Sequence, residues 1–466
     1  MRAPAGSRNP LTCRVVQAGK RVERLQLEVR VSKSPELAAR VIEQATHWLS
    51  SGGRAAAERT YRDAVLAGVL HSSSWSNLAA LGVGLGDPAG ARAHAQRALQ
   101  LDRGNVDAWV NFGVASWRTQ QRRDAAQAMQ QALALAPGLP AAALNYSSML
   151  QAVDRLAQAR EVLALAGLAN PRAWRLHQAA AEAARLQGDA EATRRHALTA
   201  LALLRPTLQL DTNTGDTPAA TAPAETDNKD VLGALLAVHN ALTAGGQDFH
   251  LIGGTLLAIW RDGRLFPHDK DVDLGLPFDT DREALAAILS DGFTPMRTPG
   301  DAHAAESRAW VMGYIHDASK VGVDLMFVQP RGEHLRFELG WPDQLACEVP
   351  VYTLQTLHWQ GHDWQVPSPP ERYLDAIYGP DWHGGVMIRG YDRRYFDTQI
   401  SNPSRTADSL PRAINLVLLR LLHALQQRQW AKAYALCVQI LAREDLAEVA
   451  AVRARVRKHA QLAAHG

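Results

Sequence analysis

The sequence predicts a multidomain chain: an all-α helical array, then an α+β domain, then a C-terminal helical segment. Three observations carry this reading. Residues 41–207 repeat with a step of 34. Residues 208–228 are rich in Thr, Ala, Pro and Asp and hold no aromatic residue, the composition of a linker. Beyond them, apolar residues switch from helical spacing to the period of two expected of strands.

The 466 residues suffice for two or three domains. Hydrophobic content of 47% and charged content of 21% are those of an ordinary soluble protein. Fifty basic against 47 acidic residues leave a formal charge of +3, which argues against a dedicated polyanion binder, so no nucleic-acid partner is expected. Cys13, Cys347 and Cys437 are far apart. They give neither a disulfide framework nor metal-ligand spacing, and a cytoplasmic location is expected. No run of 18 apolar residues occurs, so no membrane span is expected. The richest stretch, 413–425, is broken by Arg420 and His423. Residues 1–40 are expected to be a basic, loosely ordered extension; their first 34 lack the apolar core of a signal peptide.

Within residues 41–207 the repeat is marked by Trp75 and Trp109, by Asn77, Asn111 and Asn145, and by Pro137 and Pro171. Alanine keeps the same step at 57, 91, 125 and 159, and again at 64, 98, 132, 166 and 200. Small residues where paired helices touch, with Pro at the repeat end, resemble the tetratricopeptide repeat. Five units begin near Val41, Trp75, Trp109, Ala143 and His177. The last carries Thr193 where Ala is expected, as a capping repeat can. A single helix pair cannot bury its own apolar face, whereas stacked pairs can. Trp48, Trp75, Trp109, Trp117 and Trp174 are therefore expected in the core. The concave face is expected to take a protein partner.

In the α+β domain, residues 229–400, a helix at 230–242 precedes an apolar strand at 249–252. A Gly253-Gly254 turn, a helix at 255–260, a loop and a second strand follow. That second strand carries Asp271 and Asp273. Residues two apart on a strand point the same way, about 7 Å apart. Two carboxylates on one partly dry face repel, and a hard divalent cation is one remedy. Taken alone, acids at 269, 271 and 273 read as a solvated loop. The conjunction with Gly-Gly-Thr ahead of a helix is stronger, because backbone N–H groups at such a turn can approach a phosphate. Downstream, a helix at 281–290 and strands at 310–315 and 321–328 are expected. The second of these strands carries Asp324 within an apolar run. A lone buried carboxylate is costly, so it serves as a cap, as a partner of Lys320 or Arg308, or as part of a site. Residues 352–366 read as a hairpin whose His358 and His362 sit in a Gly-containing turn and are not expected to bind metal. Arg389, Arg393 and Arg394 form a basic loop, and residues 410–464 read as C-terminal helices.

The segment GGTLLAIWRDGRLFPHDKDVDLGL (253–276) resembles the signature of fukutin, fukutin-related protein and the bacterial LicD-type transferases. Gly254, Thr255, Leu256, Leu257, Arg261, Pro267, Asp271, Asp273 and Leu274 fill that pattern. The LicD branch often has Trp after the Pro, where this chain has His268. The resemblance implies a tetratricopeptide-like solenoid followed by an α+β nucleotidyltransferase-like domain. It implies that Asp271, Asp273 and Asp324 are catalytic and hold Mg²⁺ or Mn²⁺. Gly253, Gly254, Thr255 and Arg261 would bind donor phosphate. The implied reaction moves a phosphorylated alcohol, phospho-polyol or phosphocholine, from a CDP-activated donor to a sugar hydroxyl of a glycan or glycoconjugate, releasing CMP. Two alternatives are an NTP-dependent nucleotidyltransferase acting on a small molecule or protein, and a tetratricopeptide scaffold with an inactive transferase domain.

Overall fold

The computed structural model describes residues 11–14, 24–27, 47, 53–67, 71–208, 229–266, 269–296, 309–340, 342–380, 382–383, 387–388, 391–392 and 402–464. They form two compact units, Met1–Leu176 and His177–Gly466. The division falls ahead of the compositional change at 208–228, so the fifth predicted repeat, beginning near His177, lies in the second unit.

In the first unit, strands β1 (Leu11–Arg14) and β2 (Arg24–Leu27) pair antiparallel, within the stretch expected to be loosely ordered. Seven helices follow: α1 (Arg54–Ala67), α2 (Ser72–Leu85), α3 (Pro88–Leu101), α4 (Val106–Arg118), α5 (Arg122–Leu135), α6 (Pro140–Gln151) and α7 (Leu156–Ala169). The first helix of the first repeat falls, apart from His47, outside the described residues. Local chemistry sets the boundaries. Asp87 caps α3 by accepting from the Gly90 amide, with Pro88 in the first turn. Asn105 caps α4 through the Ala108 amide.

The periodic alanines make the helix contacts. Ala57, Ala91, Ala98, Ala125, Ala132 and Ala159 are fully buried, which lets helix axes approach closely. The tryptophans behave otherwise than predicted. Trp75 and Trp109 are half-buried and pack on the edge of an alanine-leucine cluster, and Trp117 is covered by the Arg122 guanidinium 3.6 Å from its ring. With alanine backbones so close, an indole has room only at the rim. Trp174 is half-buried as well, and Trp48 lies outside the described residues.

The second unit holds most of α8 (Trp174–Arg185), then α9 (Ala190–Leu204) and α10 (Lys229–Ala244). Its centre is a seven-stranded sheet of β3 (His250–Leu251), β4 (Asp271–Pro277), β5 (Phe293–Pro295), β6 (Val311–His316), β7 (Gly322–Arg331), β8 (His334–Leu339) and β9 (Leu345–Pro350). The order is β3-β4-β7-β6-β5, with β8 joining the far end of β7 and β9 joining β8. Only β4 and β7 run parallel. Val272, Leu274, Val323, Leu325 and Phe327 are fully buried and alternate with the carboxylate positions. That alternation fixes strand register, since a slip of one residue would bury the acids and expose the core.

Helix α11 (Gly253–Asp262) follows β3, and α12 (Arg282–Ile288) follows β4. Both predicted glycines lie inside the first turn of α11 instead of preceding it. Hairpin β10 (Thr353–Trp359) and β11 (His362–Ser368) leads to α13 (Pro370–Tyr378). The chain ends in α14 (Leu410–Gln426), α15 (Trp430–Leu441) and α16 (Ala447–Ala464). Helix α9 packs against α14 and α16. The Asn415 amide donates to the Ala190 carbonyl at 2.7 Å, and Arg455 donates to the Leu208 carbonyl at 3.0 Å. Arg194 pairs with Glu444. No helix of the described residues is long and apolar enough to cross a membrane.

Candidate active site

A cavity of about 470 Å³ opens at the leading ends of β4 and β7. Asp271, Asp273 and Asp324 all line it, together with Gly253 and Gly254. The parallel pairing sets Asp273 directly beside Asp324, and Asp271 beside Gly322. The i, i+2 reading of the first pair and the reading of Asp324 as part of a site thus meet on one wall. At Gly313, opposite Asp324 on β6, a Cβ would lie 3.3 Å from the Asp324 Oδ1. The absent side chain makes room for that carboxylate.

The amides and hydroxyl of the Gly-Gly-Thr turn have partners within the fold. The Gly254 amide donates to Asp273 Oδ2 at 3.0 Å. The Gly253 amide donates to the Tyr373 hydroxyl at 3.3 Å, and the Thr255 hydroxyl accepts from the Asp273 amide at 2.9 Å. These groups hold a carboxylate and its strand. Gly253 is obligatory in two ways. Its φ of +55 lies in the left-handed region, and a Cβ would sit 2.6 Å from Asp273 Oδ2. Arg261 is not brought to the cavity. It pairs with Asp262 at 2.8 Å and lies 5.0 Å from the centre of the Phe266 ring.

The carboxylates are held far from their ordinary state. Burial pushes Asp273 well upward, and Asp271, Asp324 and Asp269 add repulsion, against a downward pull from the Gly254 amide. Burial and then Asp271 raise Asp324 to about 6. Burial also raises Asp271, opposed by its own backbone amide and by Lys270.

Behind the turn lies a row of buried polar rings. His250 Nε2 is 2.7 Å from the Tyr352 hydroxyl, and the Tyr352 ring packs edge-on against Tyr373. Burial holds His250 down to about 4, so it is neutral. The sequence reading missed Tyr373, whose signal was available: a Tyr in the first turns of an amphipathic helix, buried against the sheet. It also missed Arg405, Arg420 and Lys432, which line the cavity from the C-terminal segment. Arg420, a cation within the apolar middle of its helix, was the detectable one. Arg389, Arg393 and Arg394 lie outside the described residues. His358 pairs with Asp363 at 2.7 Å and is exposed.

The donor set suits a hard divalent ion: carboxylate oxygens whose mutual repulsion a cation would relieve. Among the described residues, no three His, Cys, Asp or Glu side chains close around a single point. Asp271, Asp273 and Asp324 are the residues that could hold such an ion, with substrate phosphate and water completing its shell, the usual habit of Mg²⁺.

Residues 246–369 match the family model described as LicD/FKTN/FKRP, nucleotidyltransferase domain. The second unit therefore contains a transferase-type domain, placed on the strands and turn just described. The helical region is similar to several solved structures. MamA shares 18% identity over 35% of this chain and 95% of its own, with a TM-score of 0.30. PilF of Pseudomonas aeruginosa shares 18% over 37% and 83%, with a TM-score of 0.31. A thermophilic TPR protein of Thermus thermophilus shares 14% over 36% and 91%, with a TM-score of 0.31. The reading of a tetratricopeptide-like array rests on the step of 34 and the alanine-lined helix pairs themselves. No curated protein sequence matches the chain.

Proposed function

We propose that the second unit is a metal-dependent transferase that moves a phosphorylated alcohol from a CDP-activated donor to a sugar hydroxyl of a glycan or glycoconjugate. The repeats would serve as its protein-interaction module. The observation that carries this reading is the meeting of Asp271, Asp273 and Asp324 in one cavity wall, on two parallel strands, against a glycine turn.

A bound Mg²⁺ or Mn²⁺ would neutralise charge on the donor's diphosphate. Asp271 and Asp273 are the residues placed to hold it. The Gly254 amide and the Thr255 hydroxyl fix Asp273 from two sides, so its carboxylate is oriented before substrate arrives. The acceptor hydroxyl oxygen attacks the phosphorus bearing the alcohol. The bond from that phosphorus to the bridging oxygen breaks, and CMP leaves with the electron pair. Asp324, raised to about 6, receives the hydroxyl proton, a basicity suited to neutral pH.

The test is CMP release with Mg²⁺ or Mn²⁺ from CDP-ribitol, CDP-glycerol and CDP-choline. Metal-dependent release from one donor, reduced at least about 10³-fold in Asp271→Asn, supports the reading. Pyrophosphate release from CTP or ATP, with all three CDP donors untouched, would replace it with nucleotidyl transfer. Equal activity in Asp271→Asn would remove the carboxylates from the mechanism.

A further inference from the structure

The cavity has a second wall that the matched family segment does not contain. Arg405, Arg420 and Lys432 line it, and all three follow residue 369, where the match ends. They arrive by separate routes. The backbone around Arg405 runs along the edge of β9: the Glu348 amide donates to the Ser404 carbonyl at 2.9 Å, and the Thr406 amide donates to the Ala346 carbonyl at 3.1 Å. The Arg405 guanidinium donates to the Leu345 carbonyl at 2.9 Å. Arg420 comes from α14, between the buried Leu419 and Leu421. Lys432 comes from α15, one turn ahead of Leu436, which lines the same cavity.

We infer that this C-terminal wall is an anion subsite, and that Arg420 and Lys432, supported by Arg405, hold a phosphate group of the substrate opposite the carboxylates. Three cations thus face one cavity, where a substrate phosphate can reach them. Lys432 lies close enough to Arg420 and Lys270 that, after burial, both hold its ammonium below the ordinary lysine value. Phosphate suits these donors, since the fork of Arg gives direction and the ammonium of Lys a point charge. A helix pair outside the matched domain would thus complete its substrate pocket. As a subsite of the transferase pocket, this rests on the reading above; as an anion site, it stands alone.

The test uses the full chain in EDTA and titrates inorganic pyrophosphate by calorimetry. The Arg420→Gln/Lys432→Gln double variant should bind pyrophosphate about tenfold or more weakly, and Arg420→Lys/Lys432→Arg should restore most of the affinity. Parallel titrations locate the anion. Loss of CDP-glycerol affinity assigns the subsite to the donor diphosphate, and loss confined to glycerol 3-phosphate assigns it to a phosphorylated acceptor. Failure of the wild-type chain to bind pyrophosphate in EDTA would overturn the inference. So would equal binding by a double variant whose circular dichroism and melting are unchanged. If no CDP donor is cleaved while the double variant loses pyrophosphate, the proposed reaction falls and the anion subsite stands.

Discussion

The two units of this protein use their buried positions in opposite ways. In the helical array most of the fully buried positions are alanines, neutral and small, and nothing about them resists folding. In the sheet unit the equivalent central place, the start of β4 and β7, is given to carboxylates that burial and mutual repulsion push away from their charged state. The array gains cohesion from every repeat contact. The sheet unit gives up stability at one spot, the place where the proposed metal and substrate would bind.

Gly253→Ala should produce the largest break in this contrast. The left-handed backbone at Gly253 and the close approach to Asp273 should together cost about 2–4 kcal/mol. The variant also displaces the carboxylate it touches. Urea unfolding monitored in the sheet unit should show that loss, with CMP release falling in parallel. A fully stable, fully active Gly253→Ala would mean that the turn is not the support of Asp273.

The pH dependence of Asp324 sharpens the same point with a smaller effect. Its folded value of about 6 exceeds that of an unfolded carboxylate. The folded chain therefore holds the proton more tightly. Relative to a neutral side chain, Asp324 is harmless below about pH 4 and increasingly destabilising as pH rises through 6, by on the order of 2–3 kcal/mol at about pH 8. In EDTA, Asp324→Asn should melt higher than wild type at about pH 8, and the gain should fade as pH is lowered towards 4. Saturating Mg²⁺ should shrink the gain at high pH. A gain independent of pH would place its origin in packing and not in charge.

The legibility of the two units differs for the same physical reason. The repeat could be read because its contacts are local, and a helix pair shows its step within 34 residues. Asp271 and Asp273 could be read because strand alternation is local too. The direct pairing of Asp273 with Asp324 depends on which strands lie parallel, which no local pattern states. Tyr373 beneath the Gly253 amide and Lys432 in the opposite wall are likewise products of long-range closure. The phosphate-cradle reading of Gly253, Gly254 and Thr255 draws on their hydrogen-bonding capacity alone, and their partners in the fold are Asp273 and Tyr373. The tryptophans are expected inside because they are large and apolar. The volume left between alanine-lined helices decides otherwise.

The smallest effect probes the array from within. Asn111 and Asn145 occupy the same repeat position, yet they do different things. The Asn111 side chain reaches across to α2, donating to the Ser76 carbonyl at 2.9 Å and lying 3.0 Å from the Ser76 hydroxyl. Asn145 donates to the Ala141 carbonyl at 2.8 Å, one turn back on its own helix. A bond between helices is lost when repeats separate, whereas a bond within one helix can survive that separation. Asn111→Ala should therefore cost about 1 kcal/mol, since Ser76 is buried and loses a donor. Asn145→Ala should cost less than half as much. Urea titrations of the two single variants, followed by circular dichroism, give the comparison directly. Equal losses would show that repeat position, and not the inter-helix contact, sets the energy.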